Sequence, residues 1–417
     1  MERIINVQLI HYLLSNSLII KHQHRFLLRH STCTYLLETV NDWTVAIDSH
    51  LRTDAIYIDF QKAFDSVSHP KLLSKLTSYN IRGDLINWIT AFLASRSQQV
   101  KISDCLSNIV YITSGVIQGS VIGPTLFLLY INDLADGFTK LNCAIKLYAD
   151  DAKLYSSYKL GEYSPALVKA VEYLVEWSKV WQLQIANSKC VAHKISTSHV
   201  SAADLCHYAI HDYKLQWSDC TRDLGVYMDS DLKFTQHISK IVHVGHTRAA
   251  LILKCFLTRA PDVLLKAYCA YVRPILEYCT PVWSPHHAGL INAIEKVQRR
   301  FTKRLFGLSC LPYKDRLLSL KLESLHVRRI KNDVIMCYKI INGLVSIDYS
   351  EFFVSAASDR TRGHNYKLYI QNCRLDARKF CFARRVCPVW NNLPYDVVNA
   401  CSLNSFKRKL VGIKFDL

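Results

Sequence analysis

Hydrophobic and polar residues follow two different periods along the first half of the chain. β-Branched and aromatic residues dominate residues 54–60, and apolar runs at 144–148 and 152–155 flank a short polar break. Runs of this length and composition predict strands, the last two forming a hairpin. Apolar positions recur at helical spacing in residues 83–94 and 164–183, which predicts helices. The first half therefore predicts strands interspersed with helices.

Helical spacing dominates the second half and is clearest in residues 290–305. One face of this predicted helix is apolar and consists of Ile294, Val297, Phe301 and Leu305. The opposite face is basic and consists of Lys296, Arg299, Arg300, Lys303 and Arg304, with Glu295 at its edge. A uniformly positive face predicts contact with phosphates, although a merely solvated helix face is the alternative. Five phosphate contacts on a duplex would give log K a slope of about −4.5 against log salt.

Three carboxylates stand where the predicted strands end. Asp59 follows the first strand, and Asp150 and Asp151 occupy the turn of the predicted hairpin. Two anions held this close repel each other unless a cation lies beside them, and Mg²⁺ prefers hard oxygen ligands. Carboxylates from two strand ends suit a two-metal phosphoryl-transfer site, whose ions lie about 3.5–4 Å apart. A surface turn is the alternative for the Asp-Asp pair, because turn chemistry favours Asp.

Composition and charge favour an intracellular protein with a polyanionic partner. The 417 residues include 52 Lys and Arg against 34 Asp and Glu, a net charge of +18. The 15 cysteines lack paired spacing and are expected to be reduced thiols. Polar residues interrupt the apolar stretch at residues 4–20, so it predicts an amphipathic helix. We therefore expect no contact with a membrane and no targeting signal.

Three segments of the first half carry sequence motifs. Residues 56–69 have the sequence IYIDFQKAFDSVSH, residues 115–127 have GVIQGSVIGPTLF and continue to Ile131-Asn132-Asp133-Leu134, and residues 148–151 have YADD. In this order they resemble motifs A, B and C of the reverse transcriptases of non-LTR (LINE-type) retrotransposons of the jockey or CR-one kind. The order of the motifs makes the resemblance more specific than any one of them.

Further segments extend the resemblance over nearly the whole chain. Residues 181–185 with Lys189 resemble motif D of the family. Residues 223–228 predict a strand that carries the primer-grip motif E, in which Gly225 would let a nucleic-acid backbone approach closely. Residues 271–279, 281–283, 325–329 and 389–394 resemble the family's downstream region.

The resemblance implies an α+β fold. It would consist of a right-hand polymerase palm (an antiparallel sheet packed on helices) with partial fingers, followed by a mostly helical thumb-like and C-terminal region. The implied domains are fingers and palm at 1–235, a thumb-like region at 236–345 and a basic C-terminal region at 346–417. Its basic helix and Gly225 would contact nucleic acid.

The implied activity is RNA-directed DNA synthesis. A nucleotide would pass from a dNTP to the 3′-hydroxyl of a DNA primer paired with an RNA template. Asp59, Asp150 and Asp151 would be the catalytic carboxylates. They would hold two Mg²⁺ ions, or Mn²⁺ in their place. An intracellular ribonucleoprotein, nuclear or cytoplasmic, is the expected location.

The resemblance also assigns nucleotide contacts to Phe60, Phe64, Gln118, Gly119 and Lys189. The ring of Phe64 would leave no room for a 2′-hydroxyl and so select deoxynucleotides, unless it simply fills the core. Gln118 offers both a donor and acceptors, and Gly119 allows a close backbone approach. Lys189 would protonate or screen the pyrophosphate, or else be an ordinary exposed lysine.

One segment departs from the family pattern. In residues 23–32, Arg25 and Arg29 stand where glycines are expected. If those positions need a positive φ, each arginine adds strain of about 1 kcal/mol or more. The family also carries further fingers sequence and an endonuclease upstream, so the sequence predicts an N-terminally truncated copy. A nucleic-acid-binding fragment that no longer polymerises is the alternative function.

Overall fold

The computed structural model describes residues 1–159, 162–197, 206–356 and 364–415. The chain divides into two compact units. The first unit comprises Met1–Ser31, Arg52–Lys194 and Ser198–Ser218, and the second comprises Thr32–Leu51, Ile195–Thr197 and Asp219–Leu417. The implied functional division at residues 235 and 345 stays a prediction.

The described helices follow one another along the whole chain. They are α1 (Glu2–Ser15), α2 (Thr32–Asp48), α3 (His69–Ser78), α4 (Asp84–Leu93), α5 (Gly123–Ile131), α6 (Pro165–Trp181), α7 (Thr235–Cys255), α8 (Pro261–Tyr271), α9 (Arg273–Glu277), α10 (Thr280–Trp283), α11 (Ala288–Lys303), α12 (Tyr313–Ser319), α13 (Leu325–Ile341), α14 (Tyr349–Phe352), α15 (Asp376–Lys379), α16 (Phe382–Asn391), α17 (Tyr395–Val398) and α18 (Leu403–Val411). Two 3₁₀ helices span Asn132–Leu141 and Asn187–Lys189.

The described strands lie between Leu51 and Asp229. They are β1 (Leu51–Ile58), β2 (Ser97–Gln98), β3 (Lys101–Ile102), β4 (Cys105–Leu106), β5 (Val110–Tyr111), β6 (Ala144–Tyr148), β7 (Asp151–Lys159), β8 (Val191–Ile195), β9 (Ala209–Ile210), β10 (Tyr213–Lys214), β11 (Gln216–Ser218), β12 (Cys220–Asp223) and β13 (Val226–Asp229).

A five-stranded sheet in the order β11-β8-β1-β7-β6 organises the first unit. The predicted hairpin is confirmed as the antiparallel pair β6 and β7, and the helices predicted at 83–94 and 164–183 are confirmed as α4 and α6. One difference is that β11 pairs with β8 in parallel, so the sheet is mixed rather than wholly antiparallel. Helices cover the sheet, with Leu126, Leu154 and Leu174 fully buried in the shared core.

The second unit is mainly helical, as predicted for the second half. Its core includes the fully buried Trp390 and the stacked rings of Tyr268 and Phe301, whose centroids are 4.7 Å apart. The strand predicted at 223–228 is instead a hairpin of β12 and β13, in which Asp223 pairs with Val226. Leu224 and Gly225 form its turn, where φ is positive at both residues. No helix in the part of the chain that the structure describes is both long and apolar enough to cross a bilayer.

Candidate active site and nucleic-acid interface

Asp59 lies directly after β1, the central strand of the sheet. Its backbone carbonyl accepts a hydrogen bond of 2.7 Å from the N–H of Ala186. Its own N–H points to the buried thiol of Cys190, with 3.5 Å between N and Sγ. These contacts fix the end of β1 against the segment that carries Lys189, whose Nζ lies 3.4 Å from Oδ1 of Asp59. The sequence predicted the position of Asp59, whereas the role of Cys190 in holding it was not foreseen.

Asp150 lies in the two-residue turn that connects β6 and β7. Tyr148 pairs with Asp151 across the hairpin, so Ala149 and Asp150 form the turn. The sequence predicted Asp150 and Asp151 there; the turn lies one residue earlier, and Asp151 begins β7. Ala149 has a φ of 60°. A positive φ at the first central residue and not at the second is the pattern of a type II′ turn, which matches the twist of the adjoining strands. The turn places Asp150 at the end of the sheet where β6 and β7 are connected.

Gln23 holds this turn from a distant part of the chain. Its Oε1 accepts hydrogen bonds from the N–H of Ala149 at 2.9 Å and the N–H of Arg25 at 3.0 Å, and the side chain is almost fully buried. The backbone of residues 22–24 pairs with Leu147, which extends the sheet beyond β6. Sequence reasoning missed this role because a single glutamine between helices carries no periodic signal.

The charge of Asp59 acts on the carboxyl group of Asp150. Burial raises the pKa of Asp150, a hydrogen bond from its own backbone lowers it, the negative charge of Asp59 raises it further, and Arg25 lowers it. The guanidinium of Arg25 also lies over the ring of Tyr148, with 5.0 Å to the centroid. Two carboxylates therefore interact here, with one cation on each side, Lys189 beside Asp59 and Arg25 beside Asp150.

The third predicted carboxylate is placed differently. Asp151 begins β7 and is exposed, while Asp59 and Asp150 are half-buried. Among residues 1–159, 162–197, 206–356 and 364–415, no three His, Cys, Asp or Glu side chains lie close enough together to hold a metal ion. The joint role of all three as metal ligands stays a prediction.

The pair itself suits a divalent cation. Asp59 and Asp150 offer the anionic oxygens that Mg²⁺ and Mn²⁺ prefer, and their mutual repulsion would be relieved by a cation between them. The Lys189–Asp59 ion pair is largely exposed to solvent, so a metal ion could displace the ammonium group at little expense of free energy. The chemistry of this donor pair therefore fits a metal ion.

Three of the predicted nucleotide contacts share one cleft. Phe64, Gln118 and Gly119 line a cavity of about 280 Å³ together with Ile117, Gly123 and Pro124. The ring of Phe64 stacks on Phe127, with centroids 4.2 Å apart, so its orientation is fixed. Nε2 of Gln118 donates to Oδ1 of Asp65 at 2.8 Å. The structure thus brings motif B against the residues that follow Asp59.

Phe60, by contrast, packs in the core. Its side chain is almost fully buried and its ring lies 6.4 Å from that of Trp177. Because side chains alternate along an extended strand, Phe60 points away from the side taken by Asp59. Its place in the core gives a nucleotide little surface to contact.

The predicted basic helix is α11 of the second unit. Its four basic side chains, and that of Arg304 directly after it, are all exposed, as predicted, and its apolar face is buried. The structure divides the basic face: Arg299 lies 4.9 Å from the ring centroid of Tyr313, while Arg300 and Arg304 border a groove beside α7. Glu295, expected at the edge of that face, is buried and accepts hydrogen bonds from the N–H groups of residues 325 and 326.

Gly225 lies at the tip of the hairpin of β12 and β13. Its φ is 90°, and a Cβ there would meet Cε1 of Tyr278 at 3.3 Å. The hydroxyl of Tyr278 donates to the carbonyl of Leu224 at 2.9 Å. Only glycine suits this backbone and this contact together, and Tyr278 is a supporting residue that the sequence did not reveal.

Comparisons with known proteins agree with these motifs. The chain is 29% identical over 303 residues to the RNA-directed DNA polymerase from mobile element jockey of Drosophila funebris, a match that covers 69% of this chain and 32% of that protein. It is 28% identical over 316 residues to the probable RNA-directed DNA polymerase from transposon BS of Drosophila melanogaster, covering 72% of this chain and 34% of that protein. The chain thus spans about a third of the length of these relatives.

Among solved structures, the telomerase from Candida albicans in complex with a fragment of telomeric RNA aligns with a TM-score of 0.44 and 11% identity, over 84% of this chain and 52% of that one. A family model described as reverse transcriptase (RNA-dependent DNA polymerase) matches residues 1–228, more than half of the chain. This match contains the strand end at Asp59, the YADD turn and the cleft of Phe64 and Gln118. With the relatives from jockey and BS, it shows that the chain belongs to the reverse transcriptase family, in its LINE-type, non-LTR branch.

Proposed function

We propose that the protein is an RNA-directed DNA polymerase that transfers a nucleotide from a dNTP to the 3′-hydroxyl of a primer. The observation that carries this proposal is the interaction of Asp59 with Asp150, one at a strand end and one in the adjacent turn of the same sheet. Carboxylates in this arrangement suit phosphoryl transfer, which depends on positioning and on neutralising charge. An RNA template and a DNA primer are the proposed macromolecular partners.

Each carboxylate of the proposed active site, and Lys189 beside them, would have a separate role. Asp59 and Asp150 would hold divalent metal ions, with Asp151 as a supporting carboxylate. Bound there, the metal ions would lower the pKa of the attacking hydroxyl and neutralise the triphosphate. Lys189 would exchange its partner Asp59 for the departing pyrophosphate and screen or protonate it, because its ammonium group is exposed to solvent.

The cleft of Phe64 would receive the nucleotide. The ring is fixed by its stacking on Phe127 and cannot turn aside for a 2′-hydroxyl, so deoxynucleotides would be favoured. Gln118 would exchange its bond to Asp65 for a bond to the nucleotide, since its amide has both donors and acceptors. Gly119, with a φ of 85°, has open space where a Cβ would stand, which leaves room for a ligand.

A second candidate function is nucleic-acid binding without polymerisation. The observation that favours it is Arg29, whose φ of 66° is the conformation that suits the expected glycine. Strain in this segment would disturb the nearby Gln23 and, through it, the catalytic turn. The basic face of α11 would be retained in such a protein and would still bind phosphates.

Primer extension with the full chain tests the first proposal. Incorporation of dTTP on poly(rA)/oligo(dT) with Mg²⁺ is expected for the unmodified chain, and Asp150→Asn should abolish it. Asp104→Asn is a matched control, because Asp104 is exposed in the hairpin of β3 and β4. Incorporation that survives Asp150→Asn would overturn the site assignment.

Filter binding at several salt concentrations separates the two candidates. Tight, salt-sensitive binding together with incorporation supports the polymerase. The same binding without incorporation supports the second candidate. Loss of both would contradict both functions, because each needs the nucleic-acid interface.

A further inference from the structure

A groove runs between α7 and α11 in the second unit. The two helices approach closely at Gly245, where a Cβ would meet Cδ2 of Leu276 at 3.1 Å and Cγ1 of Val297 at 3.3 Å. Beside this contact the helices leave a cavity of about 310 Å³. The residues that give the groove its chemistry are His243, His246, Thr247, Leu253, Arg300 and Arg304.

The charge of this groove is of one sign. Two arginines and two histidines line it, and none of its lining residues is a carboxylate. Burial lowers the pKa of His246, and the positive charges of Arg300, Lys296 and His243 lower it further. The charged groups that shift this pKa, Arg300, Lys296 and His243, lie on α7 and α11 themselves. The groove therefore holds a positive potential without an internal counter-ion.

The walls of the groove are apolar. Ala249, Ala250 and Leu253 of α7 face Val297 and Phe301 of α11 between the basic groups. A narrow apolar groove with cations along its rim can receive the sugar or base of an unpaired nucleotide while its phosphate meets the rim. A duplex is too wide to enter such a groove and would contact only the rim.

We propose that the α7–α11 groove binds the phosphodiester backbone of single-stranded nucleic acid, with His246 in its protonated form as a contact beside Arg300 and Arg304. This inference rests on the proposed role of α11 in nucleic-acid binding and adds α7 to that interface. His243 and His246 were not among the predicted contacts, because neither belongs to a motif and they stand on a different helix from the arginines.

The proposal makes binding depend on pH in a defined direction. In the free protein the surrounding cations favour the neutral form of His246, whereas a bound phosphate favours the charged form. Binding therefore takes up a proton, and affinity rises as the pH falls through the range in which histidine titrates. Each added phosphate contact on a single strand steepens the salt dependence by about 0.7 in log K against log salt.

Fluorescence anisotropy with the full chain and labelled oligo(U) tests this inference between about pH 8 and pH 5.5. For the unmodified chain, we expect affinity to rise by roughly fivefold or more over this range at constant ionic strength, with the salt slope steeper by about 0.7 at the lower pH. His246→Asn should remove both changes. His50→Asn, an exposed histidine of the same unit outside the groove, should keep them.

Two further measurements distinguish the possible failures. Arg300→Gln with Arg304→Gln should weaken binding at pH 8, where histidine is neutral; no effect would overturn the proposed interface of α11 itself. If the two arginine substitutions weaken binding but His246→Asn leaves the pH dependence unchanged, only the role of the histidine is overturned. An equal pH-dependent gain on a labelled duplex would contradict the assignment to single strands.

Discussion

Arg29 occupies a backbone conformation that suits glycine, whereas Arg25, four residues earlier, does not have a positive φ. The sequence predicted strain at each position that needs a positive φ, and of the two only Arg29 has one. Arg29→Gly should therefore raise the free energy of unfolding by about 0.5–1 kcal/mol, because the relief of strain exceeds the entropy that glycine adds to the unfolded chain. Urea denaturation measures the change.

Arg25→Gly is the matched control for that substitution. Both arginines are exposed, but Arg25 gains no conformational relief and should lose stability or leave it unchanged. Equal stabilisation by the two substitutions would mean that charge, and not backbone strain, separates these arginines from the family pattern.

Gln23 gives a second test at the scale of one residue. Gln23→Met keeps the length of the side chain but removes the oxygen that accepts from Ala149 and Arg25. Loosening the turn should lower kcat by roughly ten- to a hundredfold, because small displacements of catalytic groups are costly. Affinity for primer and template should not change, since Gln23 is buried. Lys21→Met, at an exposed neighbouring position, is the control; a loss in affinity with normal kcat would assign Gln23 to binding instead.

At the scale of helices and strands, α11 shows where the sequence was informative and where it was not. Helical spacing placed the apolar and basic faces correctly. Glu295 was expected at the edge of the basic face, but it points into the unit, where Tyr313 and the N–H groups of Leu325 and His326 donate to its carboxylate. These N–H groups begin α13 and have no partner within that helix. Such a contact, 30 residues apart, cannot be predicted from periodicity.

Glu295→Gln tests that contact. The substitution removes the charge that favours the positive end of α13 and leaves one oxygen for three donors, so stability should fall by about 1–2 kcal/mol. Thermal unfolding monitored by circular dichroism measures it. Glu176→Gln, which breaks an exposed i,i+3 pair with Lys179 on α6, should have little effect. A similar loss in both variants would point to a general effect of charge.

Contacts between residues far apart in the sequence also decide which compact unit contains helix α2. It falls within residues 1–235, where fingers and palm are expected, and the structure groups it with the second compact unit. The functional division itself stays a prediction. Polar residues of α2 explain this grouping: Asn41 and Thr44 accept from the guanidinium of Arg378, and Asp48 accepts from the N–H groups of residues 374 and 375. The signal is present as buried polar positions in an otherwise apolar helix, but their partners lie more than 300 residues away.

For the whole molecule, the features that could be predicted were those set by residues close together in the sequence. The strand before Asp59, the hairpin around the YADD sequence and the helices at 83–94 and 164–183 follow from side-chain period and turn preference, and the structure confirms them. The contacts that hold these parts, by Gln23 and Cys190, are long-range and leave no pattern in the sequence. Phe60 lies within motif A, and its side chain packs in the core. Its contact with a nucleotide stays a prediction.

Acid should destabilise the folded protein through His237 of the second unit. This side chain is buried against Trp283, with ring centroids 5.0 Å apart, and burial lowers its pKa to about 4. In the unfolded chain a histidine titrates near 6.5, so between about pH 6.5 and 4 only the unfolded state binds this proton. The contribution of His237 is therefore complete above about pH 6.5 and is lost as the pH falls, up to about 3 kcal/mol at pH 4.

Tryptophan fluorescence during urea titration at several pH values measures this loss. His237→Gln should lower stability at neutral pH but flatten its fall towards pH 4, because glutamine does not titrate, whereas His11→Gln on the exposed side of α1 should leave that fall unchanged. An equally steep fall in His237→Gln would assign the acid sensitivity to other groups.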